Sequence, residues 1–486
     1  MTAINDSTYR QTKIIATLGP KTSSKESIEG LINAGVDLIR LNFSHSDKES
    51  HIKRAKIVRE VAEKKHYHVG IIGDLQGPKV RITRFKDSKI DLSNGAKFTI
   101  DHNHPFDEGN QEIVGTTYKK LVEELSAGDH LLLDDGRIEL QVEKIAGSKI
   151  ISKVISGGLL YDSKGINKKG GGLSAPAISE KDFEDIKIAA EIGVDYLAVS
   201  FAREAKDINM ARKLLNEAGN DGGIIAKIER AEALDNIDEI IEASNAIMIA
   251  RGDLGVEIGD AQLPAVQKNL IKKARKKDKV VITATQMMES MITNSIPTRA
   301  EVFDVANAVI DGTDAVMLSS ETAMGDHPVE AVEAMSRICE GSEGQNPLTM
   351  KGSNYSIENK KVDRAIAMAC MLTADNLNPK AIAAITESGS TALWMSRINH
   401  SVPIFALTTH TRTLRKVTLY RGVYPARIKT IDTNHETVNR DAVNVLTNLN
   451  VAKDDDLVII TKGDLAGIEG GTNAIKVVKV GHLVEV

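Results

Sequence analysis

The chain has 486 residues, enough for about three domains at roughly 150 residues each, and 42% apolar with 27% charged residues is the balance of a soluble globular protein. The net charge of −5, without a basic tail, argues against nucleic acid as the main partner. The two cysteines, Cys339 and Cys370, cannot form a disulfide framework. No apolar run approaches the roughly 20 residues of a membrane span, so we predict a cytoplasmic protein without membrane contact.

Eight short apolar runs alternate with stretches of helical composition. They begin at Lys13, Leu38, Val69, Tyr196, Ile224, Ala246, Val280 and Ala315. This alternation predicts a parallel sheet that is covered on both faces. An open, doubly wound sheet would alternate in the same way. The number of runs, and the polar residues that end nearly all of them, favour a closed (β/α)₈ TIM barrel, whose strand ends meet at the catalytic face.

Two further domains are predicted outside the barrel pattern. Between the third and fourth runs, short alternating segments broken by Gly, Asn and Asp indicate an inserted β-domain placed as a lid. After the eighth run we expect a helix to about Gly341, a polar linker and a C-terminal α/β domain with strands in AIAAIT, VPIFALT, DLVIIT and AIKVVKV. The predicted limits are 1–76 and 172–345 for the barrel, 77–171 for the lid and 346–486 for the C-terminal domain.

Polar side chains recur at a spacing of two residues near the ends of several runs. These sets are Arg40, Asn42 and Ser44; Lys227 and Glu229; Arg251 and Asp253; and Thr283 and Thr285. Because side chains two apart on a strand share one face, we expect each set to project together. Cations, hydroxyls and two carboxylates suit an anionic substrate held on Mg²⁺, and phosphoryl transfer needs such charge compensation rather than a protein nucleophile.

Longer motifs carry a resemblance to a known family. The segments are LNFSHS, GDLQGPKVR, SKGINKKGGGLS, YLAVSFAR, AKIERAEAL, MIARGDLGVEIG, ITATQMMESM, PTRAEVFDVANAVIDGTDAVMLSSETA and TESGSTAL. They resemble the pyruvate kinases, specifically bacterial members, and the resemblance covers essentially the whole chain. It implies phosphoryl transfer from phosphoenolpyruvate to ADP, giving pyruvate and ATP in the last step of glycolysis, by an allosteric homotetramer.

The resemblance also implies roles for matching residues. Glu229 and Asp253 would ligate Mg²⁺ or Mn²⁺, and Lys227 would stabilise the migrating phosphoryl group as a preorganised cation. Thr285 would belong to the proton relay that converts enolpyruvate to pyruvate. The residues implied to be catalytic are Arg40, Lys227 and Thr285. Those implied to bind substrate are Arg40, Lys227, Gly252, Asp253 and Thr285.

Nucleotide and monovalent-cation sites are implied in the same way. The nucleotide contacts would be Arg81, Lys164, His45 and Ser319. The cation cage of potassium-dependent members would be Asn42, Ser44, Asp74 and the Leu75 carbonyl. This chain carries Lys79 where potassium-dependent members carry Glu, and a lysine ammonium there could supply the charge that K⁺ otherwise brings. We therefore expect activity without K⁺.

The C-terminal domain contains a candidate effector loop. Its residues, which match the effector loop of the family, are Thr386, Ser388, Gly389, Ser390 and Thr391. They lie between a predicted strand and helix, where N–H groups and hydroxyls can bind phosphate, although an ordinary helix cap would use the same residues. The last loop carries Asp464 and Glu469 and lacks the Trp and Arg of members activated by fructose 1,6-bisphosphate. We therefore expect a phosphorylated effector with one phosphate, a sugar or nucleoside monophosphate.

Two other functions stay open at this point. A metal-dependent lyase or aldolase acting on pyruvate or phosphoenolpyruvate could use the same barrel, but it would not explain Arg81, Lys164 or the inserted lid. A metabolite-sensing scaffold without catalysis is the alternative outside enzymes. The complete set of implied catalytic and metal-binding residues argues against that scaffold.

Overall fold

The computed structural model describes residues 9–343, 361–398, 400–429, 435–464 and 470–482. Its strands are β1 (Lys13–Leu18), β2 (Leu38–Asn42), β3 (Gly70–Asp74), β4 (Lys89–Leu92), β5 (Lys97–Asp101), β6 (Ile113–Val114), β7 (His130–Leu133), β8 (Ile138–Ala146), β9 (Lys149–Ser156), β10 (Gly158–Tyr161), β11 (Ile166–Lys168), β12 (Tyr196–Val199), β13 (Gly223–Ile228), β14 (Ala246–Ala250), β15 (Val280–Ala284), β16 (Ala315–Leu318), β17 (Ala381–Ile385), β18 (Ile404–Thr408), β19 (Val423–Arg427), β20 (Leu457–Gly463) and β21 (Thr472–Lys479).

The α-helices of the described residues cover the barrel and the C-terminal sheet. They are α1 (Lys25–Asn33), α2 (Lys48–Lys65), α3 (Glu180–Ile192), α4 (Ala205–Glu217), α5 (Ala231–Asp235), α6 (Ile237–Ala243), α7 (Arg251–Ile258), α8 (Leu263–Lys276), α9 (Arg299–Ile310), α10 (Ser320–Ala323), α11 (Pro328–Glu343), α12 (Val362–Leu377), α13 (Ser390–Ser396), α14 (Thr411–Lys416) and α15 (His435–Asn448). In this part of the chain, no helix combines the length and apolar character needed to cross a bilayer.

Eight parallel strands close into a barrel in the order β1-β16-β15-β14-β13-β12-β3-β2, which confirms the predicted TIM barrel. Alternate side chains of each strand enter two different cores. On β1, Ile14 and Ala16 pack under the surrounding helices, whereas Ile15 packs with interior residues such as Leu38 and Met248. Burial on both faces explains why these strands are continuous apolar runs in the sequence.

The lid is a separate β-structure between β3 and β12. A six-stranded sheet in the order β11-β7-β8-β9-β5-β6 lies beside the pair β10-β4. Its own core includes the fully buried Phe98, Leu131 and Leu140. The inserted β-domain therefore has its own hydrophobic core, as expected for the separate β-domain that the alternating segments predict.

The C-terminal domain is an α/β unit with the sheet order β19-β18-β17-β20-β21, of which β21 is antiparallel. The four strands predicted there are present, but sequence analysis missed β19. That strand has the sequence VYPAR and contains Pro425, which lowers its strand signal. The helix expected to end near Gly341 continues to Glu343, and the linker from residue 344 to 360 lies outside the described residues.

The C-terminal domain rests on the N-terminal end of the barrel through aspartates that directly precede barrel strands. Asp195 accepts the Ile71 N–H at 2.8 Å and pairs with Arg415 of α14 at 2.8 Å. Asp314 pairs in a bidentate manner with Arg397, and both side chains are buried. Removing either arginine would leave a buried carboxylate with one cation fewer, so these pairs fix how the two domains sit together.

Candidate active site

The C-terminal ends of β2, β3 and β13 hold a cluster of buried charges. The Lys227 Nζ lies 2.9 Å from Glu229 Oε1 and 3.2 Å from Asp74 Oδ1, and it donates to the Ser200 Oγ at 2.6 Å. The Arg40 Nε donates to Asp74 Oδ2 at 2.6 Å. The structure therefore brings together three predicted site residues, Arg40, Lys227 and Glu229, around Asp74, which was predicted only for the cation cage.

The opposite charges of the cluster shift the pKa values of Lys227 and Asp74 in opposite directions, and each shift favours the charged form. Burial alone would lower the pKa of Lys227, but Asp74 and Glu229 raise that pKa above its ordinary value. Burial would raise the pKa of Asp74, yet Lys227 and Arg40 hold it below its usual range. The raised pKa favours the charged ammonium of Lys227, which its predicted role of compensating phosphoryl charge requires.

Glu229 is held differently from Asp74. One carboxylate oxygen, Oε2, accepts the Phe201 N–H at 2.8 Å, and Phe201 has a φ of 55°. Burial raises the pKa of Glu229, Lys227 opposes that shift, and the negative charge of Asp253 adds to it. Two carboxylates that disfavour each other's charge form a site where a cation lowers the free energy.

Asp253 belongs to a helix rather than to a strand. The expectation that Arg251 and Asp253 share a strand face is wrong, because β14 ends at Ala250 and α7 begins at Arg251. Arg251 donates to the Thr285 carbonyl at 2.7 Å and pairs with Asp304 at 2.7 Å, so it supports the loop after β15. Asp253 faces the lid, where its Oδ1 accepts from Lys79 Nζ at 2.9 Å.

Two of the residues implied to bind substrate, Gly252 and Thr285, lie beside each other. The Gly252 N–H donates to Thr285 Oγ1 at 2.8 Å. Thr285 follows the last residue of β15 with a φ of 67°, in the left-handed region that a threonine rarely adopts. Thr283 lies two residues before Thr285, but it is fully buried and its hydroxyl is hydrogen-bonded to that of Thr313. Thr283 is therefore a structural residue of the barrel.

The predicted nucleotide residues occupy the rim between lid and barrel. Burial lowers the pKa of His45, and the charges of Arg81 and Arg40 lower it further. His45 therefore lies close enough to both arginines for their charges to act on it. Arg81 donates to the Ser163 carbonyl at 2.8 Å, and Lys164 pairs with Asp134 of the lid at 2.7 Å.

Ser319 lies at the start of α10, after the end of β16. Its N–H donates to Glu321 Oε2 at 2.7 Å. Burial raises the pKa of Glu321, whose carboxylate also accepts the Met288 N–H at 3.2 Å. The structure thus fixes Ser319 through its backbone and a buried carboxylate at the C-terminal end of the barrel.

Three residues of the expected cation cage, Asn42, Asp74 and Leu75, already have polar partners at their oxygens. Asn42 Oδ1 accepts the Ser44 N–H at 3.1 Å, and the Leu75 carbonyl accepts from Ser200 Oγ at 2.7 Å. Asp74 is occupied by Arg40 and Lys227. Ser200 links the cage position to Lys227, and sequence analysis missed it although it ends the run YLAVS with a polar residue.

Glu229 and Asp253 are the two carboxylates predicted to hold a metal. Within the described ranges, no group of three or more His, Cys, Asp or Glu side chains is arranged to hold a metal ion. That result fits Mg²⁺, which takes one or two carboxylates and completes its octahedron with substrate oxygens and water. The donor set therefore suits a hard divalent cation that binds together with an anionic substrate.

The candidate effector loop is folded as a tight turn before α13. The Thr386 Oγ1 accepts the Gly389 N–H at 2.9 Å, and Gly389 has a φ of 86°. The hydroxyls of Ser388 and Ser390 lie 2.8 Å apart, whereas Thr391 bonds to Thr472. The Lys416 Nζ donates to the Ser388 carbonyl at 3.3 Å, which places a cation at the loop.

A TIM barrel with a buried lysine between carboxylates at its strand ends defines an enzyme for anionic substrates. The family description "Pyruvate kinase, barrel domain" matches residues 9–332, and "Pyruvate kinase, alpha/beta domain" matches residues 364–478. The chain belongs to the pyruvate kinase family and is a phosphotransferase.

Full-length relatives agree with this assignment. The pyruvate kinase of Buchnera aphidicola subsp. Acyrthosiphon pisum is 50% identical over 475 residues, 97% of this chain and 99% of the relative. Pyruvate kinase II of Salmonella typhimurium gives the same identity and coverage. The pyruvate kinase of Haemophilus influenzae is 48% identical over 458 residues, 93% of this chain and 96% of the relative.

A buried carboxyl joins the lid to the barrel beside this site. Glu257 of α7 accepts the Ala231 N–H at 2.8 Å, and Asn167 of β11 donates to it at 3.4 Å. Burial raises the pKa of Glu257 to about 7. The folded protein therefore binds a proton here that the unfolded chain, with an ordinary glutamate pKa, releases near pH 4.5.

We predict that Glu257→Gln removes a pH-dependent loss of stability. A raised carboxyl pKa stabilises the fold below pH 4.5, and that stabilisation is lost as the pH rises through about 7. Relative to the variant, the wild type should lose about 3 kcal/mol between these limits. Urea midpoints of both proteins at pH 5 and pH 8 measure the difference. Glu333→Gln, at an exposed position of α11, is the control, and a pH-independent difference for Glu257→Gln would contradict the prediction.

Proposed function

We propose that the buried cluster around Lys227 is where the chain transfers the phosphoryl group of phosphoenolpyruvate to ADP. The observation that carries this proposal is the fixed ammonium of Lys227, held by Asp74 and Glu229 at the mouth of the barrel. Members of the family generally use Mg²⁺. Glu229 and Asp253 are the residues that would hold it here, and when bound it would neutralise charge on the phosphoryl and carboxylate oxygens.

In this mechanism Lys227 and Arg40 compensate the negative charge of the phosphoryl group as its bond to the enol oxygen breaks and a new bond to the ADP β-phosphate forms. Asp74 keeps both cations in place through its two oxygens. Preorganised charges of this kind cost no reorganisation during the reaction. The Gly252 N–H and the Thr285 hydroxyl, which are already paired with each other, orient the substrate carboxylate.

Transfer leaves an enolate that must take a proton on its methylene carbon to become pyruvate. The Thr285 hydroxyl lies at the proposed carboxylate site, where its Oγ1 accepts the Gly252 N–H and donates to the Ala284 carbonyl at 2.6 Å. We assign it to the proton relay on that basis. Arg81 and Lys164, which lie on the lid side of the rim, would hold the nucleotide phosphates while the lid excludes water.

Lys227→Met should lower kcat by about 100-fold or more, because a methionine fills the space of the lysine without its charge. Pyruvate formation from phosphoenolpyruvate, ADP and Mg²⁺ is the measurement. Lys187→Met, which removes an exposed lysine from α3, is the matched control and should retain full activity. Thermal unfolding of both variants separates loss of chemistry from loss of fold. Retained turnover in Lys227→Met would exclude this cluster as the transfer site.

We further propose that the enzyme works without K⁺. Support comes from Lys79, whose ammonium lies 2.9 Å from Asp253, and from the donors that already occupy Asn42, Asp74 and Leu75. Burial would lower the pKa of Lys79, but Asp253 raises it, so the group is a fixed cation in the site. A lysine at this place supplies one positive charge that does not depend on the buffer.

Lys79→Glu should make the activity depend on K⁺, because it replaces that cation by an anion. We expect wild-type turnover to be equal with K⁺ and with tetramethylammonium, and the variant to be activated by K⁺. Lys89→Glu, at an exposed lysine of the lid, makes the same change in charge as a control. An absolute K⁺ requirement in the wild type would refute the proposal.

The loop from Thr386 to Thr391 is proposed as the phosphorylated-effector site, with Lys416 as its neighbouring cation. Asp464 lies in the described part of the last loop, whereas Glu469 lies outside it, and both carboxylates favour an effector with one phosphate.

Activation by a sugar or nucleoside monophosphate should disappear in Ser390→Asp, since the new carboxylate repels phosphate. Turnover at subsaturating phosphoenolpyruvate measures the activation. Asn376→Asp, at an exposed position of α12, is the control, and persistent activation in Ser390→Asp would rule out this loop.

A further inference from the structure

A large cleft separates the barrel from the C-terminal domain at the end opposite to the catalytic cluster. Its volume is about 1210 Å³. One wall is formed by the end of α2 and the residues before β3, and the other by β19, α14 and α15. None of the described effector-loop residues lines it, so the cleft is a different place from both sites considered above.

Basic side chains from both domains line this interdomain cleft. They are Arg59, Arg415, Arg427 and Lys429, against two acidic lining residues, Glu63 and Asp441. Arg59 and Arg415 share Asp195, each at 2.8 Å. Two guanidinium groups on one carboxylate leave a net positive charge at the base of the cleft.

The strand end of β19 adds cations that face the cleft together. Arg427 donates to the Thr409 carbonyl at 2.9 Å and to Thr411 Oγ1 at 2.7 Å, so its hydrogen-bond partners here are neutral and its charge is retained. Lys429 is exposed, follows two residues later and also lines the cleft. A pair of cations two residues apart suits a phosphate group, which accepts several charge-assisted hydrogen bonds.

The neighbouring histidine reports the same positive potential. Burial lowers the pKa of His68 to about 4, and the positive charges of Arg427 on β19 and Arg415 on α14 contribute to this shift. His68 lines the cleft as a neutral imidazole that can still donate one hydrogen bond. An anion placed among these groups would offset the positive charges of Arg427 and Arg415 next to the ring.

The cleft also has apolar surface. Tyr67 is 45% exposed, and the half-buried Pro425 and Val445 line the cleft as well. An exposed aromatic ring beside cations suits a ligand with an organic body as well as an anionic group.

We propose that the interdomain cleft binds an organic phosphate, with the phosphate at Arg427 and Lys429 and the organic body against Tyr67. The site is lined by Arg415, whose ion pair with Asp195 holds the C-terminal domain on the barrel. A ligand here therefore bridges the two domains. The proposal is independent of the effector loop and of the catalytic assignment.

The experiment uses the full-length chain with labelled histidine, and the probes are inorganic phosphate and phenyl phosphate. Nuclear magnetic resonance follows the His68 imidazole, assigned with His68→Gln, because this signal reports the cleft alone. We expect phenyl phosphate to shift the resonance and to raise the pKa of His68, with inorganic phosphate binding more weakly. The double variant Arg427→Ala with Lys429→Ala should weaken phenyl phosphate binding at least about tenfold.

The matched control is Lys86→Ala with Lys89→Ala, which removes two exposed cations from the lid and should leave binding unchanged. Turnover should be normal in both double variants, which verifies folding. Lys429→Ala alone replaces the cleft variant if loss of the Arg427 hydrogen bonds prevents folding. No shift of His68 at millimolar phenyl phosphate, or equal affinity in wild type and cleft variant, would overturn the proposal. Equal affinity for the two probes would overturn its apolar part.

Discussion

Compensation of buried charge at the strand ends is the constraint on which the rest of the structure depends. Four ionised side chains, Arg40, Asp74, Lys227 and Glu229, are buried together. Each of them alone would cost several kcal/mol of folding free energy. They are tolerated because β2 and β3 pair Asn42 with Asp74, which sets Arg40 beside Asp74, and because β13 ends at the residue before Glu229. A slip of one residue in the pairing of β2 with β3 would turn Arg40 or Asp74 to the opposite face of the sheet.

One short strand connects this cluster to the C-terminal domain. The residue that begins β12, Tyr196, donates its hydroxyl proton to the Lys416 carbonyl at 2.8 Å, and Asp195 before it pairs with Arg415. At the other end, Ser200 receives the hydrogen bond of Lys227, and the Phe201 N–H holds Glu229. The contacts that seat the C-terminal domain and those that hold the catalytic lysine therefore belong to the two ends of the same buried element.

The sequence was informative where local burial determines structure and less so where distant residues meet. The barrel strands could be predicted because burial on both faces makes them continuous apolar runs. Strand spacing placed Lys227 and Glu229 correctly but failed for Arg251 and Asp253, because the chain turns into α7 as β14 ends. The partnership of Lys79 and Asp253 joins residues 174 positions apart, and that of Ser200 and Lys227 spans two strands. No local pattern encodes either contact.

The ion pair between Lys79 and Asp253 also connects the lid to the chemistry proposed below it. Asp253 is the proposed metal ligand, and in this structure its Oδ1 already carries a cation from the base of the lid. A divalent metal would therefore exchange one positive partner for another rather than enter an uncompensated site. Glu229 has a comparable cation at 2.9 Å, the Lys227 ammonium, so both proposed ligands are paired with a lysine. Lys79 thus balances the charge of the lid-facing carboxylate before substrate arrives.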